Sequence, residues 1–173
     1  MPNSRSAVQE EIKQKRPFHS DGAEVAVGIL RTAAVLERQY NHIVTKRGIT
    51  VQQYNVLRIL RGAGTAGMPT LVIRDRMIHE APGITRLVDK LEQSGLARRE
   101  RQAVDRRQVL CYITEDGASL LADLDAQVVA ADDAAVSMLD TEQRHQLTDL
   151  LTAVRSGHAR CRVAAAASSE GPV

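Results

Sequence analysis

Five arginines lie close together in one short segment of an otherwise nearly neutral chain. The 173 residues include 23 Lys and Arg against 21 Asp and Glu, a formal net charge of +2, so total charge alone does not indicate a nucleic-acid partner. The excess is concentrated between Leu96 and Gln108, in Arg98, Arg99, Arg101, Arg106 and Arg107. Guanidinium groups bind phosphates bidentately and enter narrow minor grooves. The segment therefore predicts an anion-binding surface, whereas the next one, Gln108 to Leu139, contains acids and no Lys or Arg.

A set of polar residues that could read DNA lies on the predicted helix just before this segment. Apolar residues follow helical spacing between Pro82 and Ser94, at Ile84, Leu87, Val88 and Leu91. The other face carries Gly83, Thr85, Arg86, Asp89, Lys90 and Gln93. Arg86 could bind a guanine edge and Thr85 a thymine methyl, while Lys90 is placed for a phosphate. Pro82 and Gly83 would allow close backbone approach at the helix N-terminus, which favours phosphate.

The surrounding pattern predicts the elements that position these residues. Capping and turn residues divide the chain into helix, helix, helix-turn-helix, hairpin, helix and helix. The predicted boundaries are an arm at 1–20, helices Asp21 to Gly48, Thr50 to Gly62, Pro69 to Met77 and Pro82 to Ser94, strands Leu96 to Arg101 and Gln108 to Ile113, helices from Thr114 and from Asp140, and a disordered tail at 163–173. Capping pairs are predicted at three helix starts: Asp21 with Glu24, Thr50 with Gln53, and Asp140 with Gln143.

The composition excludes several classes of protein. There is no apolar secretory leader and no apolar stretch near the ~18 residues of a membrane span, which predicts a cytoplasmic chain with reduced thiols and no membrane partner. Aromatic residues make up 2% of the chain, too few for the stacking surfaces of single-strand binders. We expect Cys111 to be a buried structural thiol in a strand rather than a redox switch, and Cys161 to be exposed near the C-terminus.

No group of residues indicates catalysis or a cofactor. The five histidines show no metal-ligand spacing with Cys, Asp or Glu. The glycine-containing stretch Gly62 to Gly67 lacks the Lys-Ser/Thr of a phosphate loop, and the chain has no nucleophile elbow. We therefore predict no enzyme activity, no metal and no cofactor.

Four short motifs, in order and at specific spacings, give the chain a resemblance to the MarR family of bacterial winged-helix regulators. They are Ile84 to Glu92 (ITRLVDKLE), Gly95-Leu96, Asp105-Arg106-Arg107, and Ile113-Thr114 with Gly117. The resemblance extends over residues 26–160. A helix-turn-helix pattern alone is a weak signal, but the four motifs together are specific.

The resemblance implies a mostly α fold, an α+β winged helix-turn-helix with six helices and a short β-hairpin wing. Residues 50–113 would form the DNA-binding domain, and residues 21–48 and 115–162 a helical region that forms a homodimer through the first and last helices. The dimer would read a pseudo-palindromic operator in double-stranded DNA. The wing residues implied to take part are Arg98, Arg99, Asp105, Arg106 and Arg107, with Asp105 holding an arginine side chain in place.

The same resemblance implies a ligand-responsive repressor. Regulators of this family commonly hold a small aromatic or phenolic effector between the dimer helices and the DNA-binding lobe. Tyr40, His42 and Tyr54 are the candidate wall residues here, although His42 also fits an ordinary, partly exposed helix position. The alternative function is a winged-helix module that binds another protein, or an architectural protein that binds DNA without sequence preference.

Overall fold

The computed structural model describes residues 6–101 and 109–169, with side chains up to residue 157. The predicted wing residues Asp105, Arg106 and Arg107 lie outside the described residues, as does the side chain of Cys161. Within the described chain, no helix combines the length and the apolar character required to cross a membrane.

The described residues form seven α-helices and three β-strands. In chain order these are α1 Ala7–Glu11, α2 Asp21–Val44, α3 Val51–Ala63, β1 Met68–Pro69, α4 Thr70–Asp75, α5 Ile84–Gln93, β2 Ala97–Arg101, β3 Val109–Ile113, α6 Glu115–Ala135 and α7 Thr141–Ser169. Contacts between residues divide the chain into two compact units, Met1–Ala131 and Asp132–Val173. The predicted winged helix with its flanking helices is confirmed, while the predicted division into DNA-binding and dimerisation regions stays a prediction.

Two of the three predicted capping pairs are confirmed. At the start of α3, the Gln53 side chain accepts a hydrogen bond from the Thr50 backbone N–H at 2.9 Å, and Thr50 Oγ1 accepts from the Gln53 N–H at 3.2 Å. Asp140 and Gln143 make the same reciprocal pair before α7. The pair at Asp21 is wrong, because Ser20 is the N-cap of α2 and its hydroxyl accepts from the Ala23 N–H. Serine supplies an acceptor one residue earlier, which leaves Asp21 inside the helix.

The two ends of the chain are more helical than predicted. The predicted arm contains a seventh helix, α1, which Ser6 caps and which the salt bridge between Glu11 and Arg31 (2.7 Å) ties to α2. Five residues are too few to show an amphipathic period, so the sequence did not reveal it. Helix α7 continues to Ser169, past the predicted start of a disordered tail at 163, because the alanine-rich end of the chain has a high helix propensity.

The predicted hairpin is confirmed and belongs to a three-stranded antiparallel sheet. The strand order is β1-β3-β2, so β3 lies in the centre. Cys111 faces Met68 of β1 on one side and Arg99 of β2 on the other, and Arg98 lies opposite Tyr112. Strand β1 has two residues, too few for an alternating pattern. The helix that the sequence predicted from Pro69 begins one residue later, at Thr70, because Pro69 belongs to this strand.

One hydrophobic core joins the winged helix to parts of α2 and α6. Its fully buried side chains include Leu57, Leu60, Val88, Leu91 and Leu121. A bidentate pair from Arg61 to Asp125, at 2.7 and 3.1 Å, also connects α3 to α6 at the surface. The hydrogen bond from Arg61 lowers the pKa of the Asp125 carboxyl, against the opposing effect of burial.

Gly117 allows the first turn of α6 to press against the chain that leads into β2. A methyl group at Gly117 would lie 2.2 Å from the carbonyl oxygen of Leu96 and 2.9 Å from Ile113 Cγ1. The Gly117 N–H donates to Thr114 Oγ1 at 3.1 Å, and that hydroxyl donates to the Gly95 carbonyl at 2.7 Å. Since backbone cannot move aside as a flexible side chain can, any larger residue must displace the helix.

We expect Gly117→Ala to lower the free energy of unfolding by about 1–3 kcal/mol, because the added methyl overlaps backbone. The matched control is Gly62→Ala in α3, where a Cβ would meet nothing within 4 Å. That change should be neutral or raise stability by up to about 1 kcal/mol, since alanine favours helix. Urea unfolding followed by circular dichroism measures both. Equal effects of the two substitutions would contradict the close contact at Gly117.

Candidate nucleic-acid interface

Helix α5 separates a buried apolar face from an exposed polar one. Ile84, Val88 and Leu91 are buried in the core. Thr85, Arg86 and Lys90 are exposed, as the sequence analysis expected of residues that could reach DNA. The hydrophobic side fixes the rotation of the helix about its axis, so these three side chains share the solvent-facing surface.

The start of α5 lies two residues later than predicted. Pro82 and Gly83 form a turn, and the helix begins at Ile84 with Gly83 as its N-cap. Both turn residues are exposed, and no side chain caps the helix. The N-terminus of α5 therefore remains accessible to an anion, which the helix dipole favours.

Arg99 of β2 connects the wing to α5. Its Nη1 donates to Asp89 Oδ1 at 2.5 Å and to Glu92 Oε2 at 3.0 Å, and its Nη2 donates to the Thr85 carbonyl at 3.2 Å. The Arg99 backbone N–H donates to the other Glu92 oxygen at 3.1 Å. One arginine thus contacts three successive turns of α5, and we call this set of bonds the Arg99 clamp. It fixes the position of α5 relative to the wing.

This arrangement stabilises the charged form of the Arg99 side chain. Burial of the guanidinium lowers its pKa, but the hydrogen bond with Asp89 and the charges of Asp89 and Glu92 outweigh that effect. The net result raises the pKa of Arg99 above the ordinary arginine value. The Arg99 side chain is 21% exposed, and the two carboxylate side chains are about 40% exposed. Solvent therefore weakens the ion pairs without removing the directed hydrogen bonds.

The structure places the predicted wing arginines in different surroundings. Arg99 points towards α5 and pairs there with Asp89. The sequence analysis had placed Asp89 on the open face of that helix. Arg98 is exposed, pairs with Glu100, and lies over the Tyr112 ring at 4.4 Å from its centroid. Sequence reasoning assigned arginine pairing to Asp105 and missed the Arg99 clamp. The available signal was the pair of acids at 89 and 92, one helical turn apart on the helix preceding the strand.

A cavity of about 180 Å³ lies between α2, α3 and the turn at residues 77–79, which follows α4. Its lining residues are Ala33, Leu36, Glu37 and Tyr40 of α2, Val51, Gln52 and Asn55 of α3, and Met77, Ile78 and His79 of the turn. The Ile78 N–H donates to Asn55 Oδ1 at 3.0 Å, which attaches the turn to α3. The chain runs from this turn into Pro82 and the start of α5.

The three predicted wall residues of a ligand site do not share this cavity. Tyr40 lines it. His42 instead lines an open depression between α2 and α6. Tyr54 is buried at 6% exposure, and the Arg58 guanidinium lies 5.8 Å from the centroid of its ring.

Cys111 is fully buried in the central strand, as predicted, and its Sγ lies 3.5 Å from Thr70 Oγ1. Among the residues whose placement the structure describes, no three His, Cys, Asp or Glu side chains come together as a metal site.

Comparison with known proteins identifies the family. A sequence model of the MarR family matches residues 47–108. The HTH-type transcriptional regulator MhqR of Bacillus subtilis (strain 168) is 33% identical over 132 residues, which cover 72% of this chain and 90% of that protein. The crystal structure of a MarR transcription factor from Planctomyces limnophilus is 35% identical, covers 78% of this chain and 98% of that one, and superposes with a TM-score of 0.60. The chain belongs to the MarR family.

Family membership confirms the fold and the type of function expected from the four motifs. This MarR-family protein is a winged helix-turn-helix transcriptional regulator that binds DNA. A further similar structure is CouR from Rhodococcus jostii RHA1 bound to p-coumaroyl-CoA, which is 26% identical, covers 79% of this chain and 95% of that one, and has a TM-score of 0.67. The roles of individual DNA-contacting residues in this MarR-family regulator stay predictions.

We expect Arg99→Gln to lower the free energy of unfolding by about 1–2 kcal/mol, because it breaks charge-assisted hydrogen bonds and leaves two acids facing each other. Arg99→Lys should recover only part of that loss, since a single ammonium cannot reproduce the fork. Thermal or urea unfolding measures each variant.

The matched control is Arg101→Gln, on the same face of β2, because Arg101 is exposed and has no ion pair with a described residue. It should change stability by less than about 0.5 kcal/mol. If Arg99→Gln and Arg101→Gln unfold alike, the Arg99 clamp does not stabilise the wing on α5.

Proposed function

We propose that this regulator represses transcription as a homodimer, reads a pseudo-palindromic operator, and releases it when a small ring compound occupies the cavity beside Tyr40. The observation that supports this most directly is the exposed row of Thr85, Arg86 and Lys90 on a helix that the Arg99 clamp fixes to the wing. Base readout requires side chains held in one geometry, and a recognition helix that Arg99 bonds to the wing satisfies that requirement.

The proposed homodimer rests on apolar side chains left in solvent at both ends of the chain. On α2, Val25 and Leu30 are 55% and 69% exposed, and on α7, Leu150 and Val154 are 65% and 50% exposed. Each helix by itself thus presents apolar groups that a second copy could cover. A two-fold dimer would present two α5 helices to half-sites about one helical turn apart.

The proposed response to a ligand rests on the wall that the cavity shares with the turn before α5. A compound wedged between α2, α3 and Ile78 would favour a different position of that turn. It can weaken operator binding only in proportion to its preference for that position over the DNA-bound one. The p-coumaroyl-CoA bound to CouR supports a small-molecule signal for this chain as well.

The proposal places the protein in the cytoplasm, where its DNA is, and assigns it no catalytic step. The competing function is a module that binds protein or binds DNA without sequence preference. Measuring DNA affinity for a specific and a random duplex separates the two functions, because binding without sequence preference gives both duplexes about the same affinity.

We expect the full-length protein to bind DNA from the intergenic region upstream of its own gene more tightly than a scrambled duplex, as measured by fluorescence anisotropy. Arg86→Ala should cost about 1–3 kcal/mol on the specific duplex and reduce the ratio of specific to random affinity. Lys90→Ala is the matched control on the same face of α5. It should weaken binding to both duplexes about equally, as expected for a phosphate contact.

Equal wild-type affinities with equal salt slopes would refute a sequence-specific regulator of this region. A specific-to-random ratio that survives Arg86→Ala would instead show that Arg86 does not read bases, and would leave the DNA-binding function intact.

A further inference from the structure

The stretch between α4 and α5 has little apolar packing to hold it in place. Residues 76–83 separate the two helices, whereas the turn of an ordinary helix-turn-helix has about three or four residues. Of residues 78–83, all of which the structure describes, Ala81 alone is buried. The large apolar side chain of Ile78 is 73% exposed. Because a segment with few buried apolar contacts opens easily, the position of this stretch depends on other interactions.

Asn55 of α3 supplies one such interaction from outside the stretch. Its side-chain oxygen Oδ1 accepts a hydrogen bond from the Ile78 N–H at 3.0 Å. The Ile84 N–H, at the start of α5, bonds instead to the Ala81 carbonyl at 3.1 Å, within the same part of the chain. A local bond of that kind shapes the turn without fixing where the turn lies. The bond from Ile78 to Asn55 ties the turn to another helix.

Helix α3 gives Asn55 a firm base. Asn55 is half-buried, and its neighbours Tyr54 and Val56 are buried in the core. The helix begins with the reciprocal capping pair of Thr50 and Gln53, which satisfies backbone groups at its N-terminus. A side chain on a packed helix holds its partner more exactly than one on a loop. The turn before α5 is therefore positioned relative to the core.

The first turn of α5 depends on the position of this stretch. Thr85 and Arg86 come just after it and are exposed, and they are the residues that we propose to read bases. The Arg99 clamp holds α5 from the side of the wing. Asn55 acts at the other side, through the chain that enters the helix. A displaced turn would move the two side chains away from the base edges, where hydrogen bonds tolerate little misplacement.

We infer that Asn55 is a positioning residue for DNA binding, and that its bond to the Ile78 N–H holds the N-terminal turn of α5 in the place that DNA requires. The inference rests on the proposed function in treating Thr85 and Arg86 as the readers. It adds to the DNA-binding machinery a residue that belongs neither to α4 and α5 nor to the wing.

Asn55→Ala in the full-length protein tests the inference, because it removes the acceptor. The matched control is Gln52→Ala, which removes an exposed amide one turn earlier on α3. We expect Asn55→Ala to bind the duplex from upstream of the gene about three- to tenfold more weakly than Gln52→Ala, the effect of one hydrogen bond. Fluorescence anisotropy measures both. The two variants should unfold at the same urea concentration, since water can reach the exposed Ile78 and replace the bond without fixing the turn.

A conservative variant separates the hydrogen bond from the rest of the side chain. Asn55→Asp keeps an oxygen acceptor at the same place, and Gln52→Glu controls for the added charge. Asn55→Asp should bind the upstream duplex within about twofold of Gln52→Glu. Amide hydrogen exchange followed by NMR reports on the bond itself. The Ile78 amide should exchange faster in Asn55→Ala than in wild-type protein, and at the wild-type rate in Asn55→Asp.

Three results would overturn the inference. They are an Asn55→Ala protein that binds the upstream duplex as tightly as Gln52→Ala, an Asn55→Asp protein that binds as weakly as Asn55→Ala, and a loss of DNA affinity that comes with an equal loss of resistance to urea. The last result would show that Asn55 only stabilises the fold.

Failure of this inference and failure of the proposed function give different results. A wild-type protein that prefers the upstream duplex, together with an unaffected Asn55→Ala, refutes only the role of Asn55. A wild-type protein that binds the upstream and scrambled duplexes equally refutes the sequence-specific regulator. In that case a loss of at least about threefold in Asn55→Ala, restored in Asn55→Asp, still supports the positioning role.

Discussion

The guanidinium of Arg99 bonds β2 to α5 at the protein surface, in addition to the hydrophobic core that both elements share. Strand β2 lies at the edge of the three-stranded sheet, and α5 is only ten residues long. The Arg99 clamp bonds the strand to two carboxylates and one backbone carbonyl of that helix. Because a guanidinium fork is planar and rigid, it fixes orientation as well as distance. The exposed face of α5 and the outer side of the wing thereby form one surface.

The base of the wing is held by contacts of a different kind. Thr114 bonds to the Gly95 carbonyl and receives the Gly117 N–H, while Gly117 lies against the Leu96 carbonyl. Gly95 itself has a φ of +73°, which ends α5 and turns the chain into β2. These short contacts explain why the motifs Gly95-Leu96 and Ile113-Thr114 with Gly117 occur together. They are the two sides of one junction.

Local patterns predicted most of the fold. The apolar period of α5, the alternation in β3 and the capping pairs at Thr50 and Asp140 each concern neighbours within one element, and a single sequence contains that information. Helix α1 and strand β1 were missed because they are too short to show a period. The burial of Tyr54 away from the cavity depends on packing between elements, which the sequence does not encode locally.

On the candidate DNA-binding surface, too, the sequence predicted only the features that depend on neighbours within one helix. Spacing along α5 identified Thr85, Arg86 and Lys90 as exposed, but it treated Asp89 as one more surface residue. Whether an arginine faces solvent or an acid on another element depends on the register of β2 against α5. Charge counting therefore overestimated the basic character of the wing, since one of its arginines is already neutralised by its partners.

The pairing of Arg99 with acids of α5 concerns how strongly the regulator binds DNA outside its own site. Helix α5 carries Arg86 and Lys90 against Asp89 and Glu92, two charges of each sign, so its own contribution to net charge is zero. Attraction to random duplex grows with the number of phosphates a protein neutralises, whereas recognition of the right bases does not. We therefore expect the carboxylates that hold Arg99 to weaken binding to random duplex. On this expectation, a hydrogen-bonded ion pair within the protein also affects how long it stays on unrelated sequences.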